Sequence, residues 1–88
     1  EIMNTTENSF APGETAKARQ RATLYTDLRK GPVSTLYARE TLGIMSPAAR
    51  IMELRRQGHV IITRVGHVVD AAGLSHRSAV YELVGGAA

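Results

Sequence analysis

The chain has 88 residues, 43% of them hydrophobic, which bounds it to one small domain with a modest single core. It has no cysteine, so a disulfide framework and a thiolate zinc site are excluded, and no membrane-spanning apolar run or signal-peptide pattern, so a cytoplasmic protein without membrane contact is expected. The formal charge of +3 is uneven: residues 16–88 hold eleven basic against five acidic side chains, an excess that suits a polyanionic partner.

Residues 1–13, EIMNTTENSFAPG, are polar, lack periodicity and end in Pro-Gly, and read as a disordered tail. A start at Glu1 rather than Met suggests a fragment or a processed chain. From Glu14 to Lys30 good helix formers dominate, with Ala18, Ala22, Tyr25 and Leu28 on one stripe and Leu24 beside it. Gly31-Pro32 stops this helix, and Arg29 and Lys30 in its last turn complement the helix dipole. A second helix follows, with Ser34 as N-cap and Val33 placed to staple onto Ala38, and it runs out at Gly43. Ser46 offers another N-cap, Pro47 fills the first helical position, and a third helix continues through Arg56 with Gly58 at C′. Two short helices joined by a glycine turn have the layout of a helix-turn-helix.

Beyond Gly58 the pattern becomes extended. Val60–Val65 is β-branched apart from Arg64, and Ser78–Val84 alternates, placing Ala79, Tyr81 and Leu83 on one face. Turn chemistry sits at Asp70-Ala71-Ala72-Gly73, so a β-hairpin with a long tip is expected, followed by a flexible tail over 85–88. The expected fold is therefore α+β, mainly α: a winged helix-turn-helix domain over residues 14–84, three helices followed by a two-stranded wing.

The run Leu28-Arg29-Lys30-Gly31-Pro32-Val33-Ser34-Thr35, with Ala38-Arg39, Leu42-Gly43-Ile44, Ala48-Ala49-Arg50-Ile51, Glu53-Leu54-Arg55 and Gly58-His59, resembles the small phage- and prophage-associated helix-turn-helix family of winged-helix type. Ile61, Thr63, Tyr81 and Leu83 extend the resemblance across the strands, so that it covers roughly Leu24 to Val84. It implies a fold that binds double-stranded DNA, without implying an operator or a pathway.

With Ile51 taken as the centre of the inner face, the third helix (about 46–57) turns Ser46, Ala49, Arg50, Glu53, Arg56 and Gln57 outward. Donors and acceptors beside a small Ala49 suit major-groove reading, with Arg50 in the half that enters the groove. Arg50 can equally pair with Glu53 three residues on. Glu53 accepts from cytosine or orients Arg50, Arg56 suits a phosphate or is simply solvated, and Ser46 and Thr35 are caps first, with neighbouring amides able to bind a phosphate. Arg55 lies near the core face, so a packed stem and a carboxylate partner are expected. In the wing, Arg64, His76 and Arg77 can reach a groove or the backbone, or pair across strands. His59, His67 and His76 lack metal-ligand spacing, and Ser75-His76 near Asp70 has no nucleophile elbow, so neither a metal or other cofactor nor catalysis is expected.

A transcriptional regulator is the leading reading, acting as a homodimer or within a larger parent protein; a replication or recombination accessory factor is an alternative. The rival from another class is a winged helix that binds a protein, favoured by Glu53 in mid-face and by a near-neutral wing.

Overall fold

The structure is a computed structural model and describes residues 12–85. Helix α1 spans Pro12–Lys30, β1 Val33–Ser34, α2 Thr35–Glu40, α3 Pro47–Arg56, β2 Val60–Val69 and β3 Ser75–Gly85. The strands form one antiparallel sheet in the order β1-β3-β2. This is the expected winged arrangement with a third, two-residue strand that the sequence did not announce. The expected tail over 1–13 lies outside the described residues except for Pro12 and Gly13, which are helical. Gly85 likewise belongs to β3 rather than to the tail.

The core is built where all the elements meet. Leu24 and Leu28 of α1, Val33, Ala38, Ile44, Ile51 and Leu54, Ile61 and Tyr81 form one buried cluster, with Tyr25, Leu42, Ala79 and Leu83 packed against it. A fully buried aliphatic side chain contributes about 1.5–3 kcal/mol, so this cluster dominates the stability. Ala18 and Ala22, expected on the inner stripe of α1, are exposed. The buried stripe narrows to Leu24 and Leu28. Tyr25 lies beside it, its ring 4.5 Å from that of His59.

Local signals set the ends of the helix pair. Ser34 Oγ accepts from the Tyr37 amide at 2.9 Å, the cap expected of it, and Val33 and Ala38 are buried together. Val33 and Ser34 also pair with Tyr81 and Val80, so one dipeptide serves both strand and cap. Between α2 and α3 the chain turns through Gly43, and the Ile44 amide donates back to the Ala38 carbonyl. α3 starts with Pro47, but Ser46 makes no side-chain cap bond, contrary to expectation. Its φ of −125° and ψ of 73° leave the hydroxyl off the amides, while its carbonyl accepts from Ala49 and Arg50. At the other end Gly58 donates to Arg55 O and His59 to Leu54 O, a Schellman pair that needs the left-handed φ of 104° at Gly58.

The wing is longer and more regular than the pattern suggested. β2 and β3 pair from Ile61↔Leu83 to Val69↔Ser75, with an irregularity at Val60/Ile61. The residues read as a long tip are strand, and only Asp70–Leu74 turns. There the Asp70 amide donates to Leu74 O, Gly73 donates to Asp70 O, and Gly73 takes φ +87°.

Candidate nucleic-acid interface

Three of the four side chains at the α1–α3 seam are charged, which shapes everything outside it. Arg50 is buried, with 7% of its surface exposed. Its Nη2 donates to Glu53 Oε2 at 3.0 Å and its Nη1 to Gln20 Oε1 at 3.2 Å. Its Nε lies 2.9 Å from Glu53 Oε1 without an aligned hydrogen bond. Arg21 of α1 donates to the same Oε1 at 2.8 Å. The hydrogen bond from Arg21, aided by the charge of Arg50, holds the Glu53 carboxyl below its ordinary value against a smaller opposing desolvation.

The outward placement of Arg50 and Glu53 is thereby corrected. Both face α1, and the Arg50–Glu53 pair that the spacing allowed is the one formed. For Glu53 the cause is its bonds to Arg21 and Arg50; for Arg50 the physical reason is the phase of the helix. Pro47, Ile51 and Leu54 are all buried, and their mean direction is turned about 30° from Ile51 alone at 100° per residue. That turn carries Arg50 to the edge of the core beside Leu54 and brings Met52 outward. Met52 was missed for this reason. The spacing of the three buried positions was the signal that finds it.

The exposed stripe of α3 is therefore Met45 just before the helix, then Ala49, Met52 and Arg56, with Ala48 on its flank. Met45 is 79% and Met52 53% exposed, while Ala49 is half-buried. Arg56 is exposed, with Nη2 3.4 Å from Met52 Sδ. Ser46 and Gln57 are exposed as expected. Arg55 also departs from expectation. Its partners are the Ile61 carbonyl, at 2.9 Å from Nε and 2.6 Å from Nη2, and Thr63 Oγ1, not a carboxylate. It ties the end of α3 to the start of β2.

A second group of expected residues meets beside α2. Thr35, Leu36 and Arg39 of α2 face His76, Arg77, Ser78 and Ala79 of β3 across a groove of about 300 Å³. Thr35, His76 and Arg77 are thus brought together, and Arg39, which sequence reasoning passed over, joins them. Arg64 is placed apart from this group. It pairs with Glu82 at 2.8 Å on the sheet face shared with Val80, the cross-strand option named from sequence.

The wing tip is held by one carboxylate. Asp70 Oδ1 accepts from the Ala72 and Leu74 amides, each at 2.9 Å, and Oδ2 lies 2.7 Å from His76 Nε2. The His76 contact first, then the Leu74 amide, holds this carboxyl below its ordinary value. Val65, Val69 and Leu74 stand exposed along the same ribbon.

A family model for the winged helix-turn-helix domain matches residues 19–85. No curated protein and no solved structure matches the chain. The matched span runs from the part of α1 that enters the core to the last residue of β3, and it contains every residue of the helix pair and the wing. Element order, turn, wing and matched span agree: the chain belongs to the winged helix-turn-helix domain family, a DNA-binding fold.

Proposed function

We propose that the domain binds double-stranded DNA with the exposed stripe of α3 in the major groove and the β2–β3 wing on the flanking groove, as a transcriptional regulator of the phage- or prophage-associated kind. The observation that carries this reading is the slim exposed face of α3, whose helix is locked to α1 by the Arg21–Glu53–Arg50 cluster. A reading helix must be held rigidly and still stand clear of the body. Ser46, Ala49 and Arg56 remain at the DNA in this reading, and Arg50 and Glu53 move to the support behind them. The groove of Thr35, Arg39, His76 and Arg77 takes a backbone phosphate, which positions the domain without reading sequence. One such domain makes few base contacts, so it works as a homodimer, on paired sites or inside a larger parent protein. It works in the cytoplasm and without catalysis.

A second reading is favoured by the apolar wing, where Val65, Val69 and Leu74 are exposed: the same fold docking onto a protein. An NMR titration with a random-sequence duplex at low and moderate salt separates the two. Shifts at residues 45–56, at Arg39 and in the wing, fading as salt rises, support DNA binding through counterion release. Silence at these positions leaves the protein-docking reading.

A further inference from the structure

Resting on the DNA reading above, we infer that α3 selects sites by the C5-methyl groups of thymine, through Met45, Ala49 and Met52. The inference comes from what the helix does not present. Guanine and adenine are read in the major groove by bidentate donors and acceptors, chiefly Arg, Lys, Asn and Gln. Arg50 is buried and spent on Glu53 and Gln20. The Arg55 guanidinium is held by the Ile61 carbonyl and Thr63. Arg56 stands in the last turn, whereas the first half of such a helix goes deepest between the bases. From Met45 to Met52 the exposed stripe carries two thioethers and the Ala49 methyl, with the Ser46 hydroxyl at the helix start its one polar side chain.

The major groove has one apolar feature to offer such a surface, the thymine methyl, which no other base of ordinary DNA carries. Met45 and Met52 have most or half of their surface in water, so covering them against a methyl is a net gain. Their unbranched, polarizable side chains adapt to its exact position. Ala49 between them keeps the helix backbone close to the base edges.

The experiment measures binding of the full chain by fluorescence anisotropy to four duplexes: alternating dA–dT, the same with dU for dT, alternating dG–dC, and the same with 5-methyl-dC for dC. Replacing dT by dU is expected to weaken binding about fourfold per contacted methyl, or about 0.8 kcal/mol. Methylating dC is expected to strengthen binding by a similar factor. Met52→Ser should shrink the dT–dU difference by about one such factor without moving the thermal midpoint.

Equal affinity for the dT and dU duplexes, with binding still sensitive to salt, overturns the methyl inference and leaves the DNA reading intact. A loss with dU lacking the matching gain with 5-methyl-dC marks duplex stiffness and overturns it as well. A dT–dU difference undiminished in Met52→Ser removes Met52 from the role. If no duplex binds in a salt-sensitive way, both readings fall and the methionine stripe belongs to a protein contact.

Discussion

Glu53 holds two arginines from two helices, and its loss is not symmetrical with theirs. Glu53→Gln removes the negative charge that compensates a buried guanidinium, while Arg50 stays where the packing puts it. Stability should fall by about 1–3 kcal/mol, read as a lower midpoint in urea with an unchanged slope. The same carboxylate gives the protein an acid sensitivity. Because its folded pKa is depressed, its contribution is complete above the ordinary carboxylate range near pH 4 and disappears as pH falls through the lower folded value. Urea midpoints measured on the acid side should therefore decline less steeply with pH in Glu53→Gln than in the parent. At this scale the sequence was readable only in part. It offered the Arg50–Glu53 spacing as one of two options, and Gln20 and Arg21, some thirty positions away in the chain, decided between them. No helical wheel of α3 alone contains that contact.

At the scale of elements, the helix pair was legible because its punctuation is local: Ser34, Pro47 and Gly58 each act within one turn of their own position. The wing was legible only at its base. Ser78–Val84 alternates because Ala79, Tyr81 and Leu83 cover a core. Beyond Ala79 the strands are held by cross-strand pairing rather than by burial, so no apolar alternation advertises them. β1 is a two-residue strand inside a capping motif and leaves no periodic trace. The Asp70 turn, by contrast, was announced by its residue types. Asp70→Ala removes the acceptor shared by Ala72, Leu74 and His76. It should speed hydrogen exchange at the Ala72 and Leu74 amides while changing global stability by no more than about 0.5 kcal/mol, as exposed sites usually do.

For the whole molecule, the placement of positive charge matters more than its sum. Arg50 and Arg21 share the one carboxylate of Glu53 at the seam and Arg64 is matched by Glu82, while at the proposed interface Arg39, Arg56 and Arg77 make no ion pair among the described residues. Binding to duplex DNA should therefore weaken with salt according to these few cations rather than all eleven basic side chains. Arg56→Ala should lower affinity for every sequence alike and reduce the logarithmic salt slope by about one, checked by anisotropy across a salt series.

The short reach of β1 has a mechanical consequence. The sheet is three strands wide only at Val80 and Tyr81, where β1 pairs. Farther out it is a bare two-stranded ribbon with no helix behind its tip. Narrow ribbons twist more readily than wider sheets, so the two-stranded part of the wing should bend more readily than its three-stranded base. The wing can follow a surface whose width varies without disturbing the angle of the helix next to it.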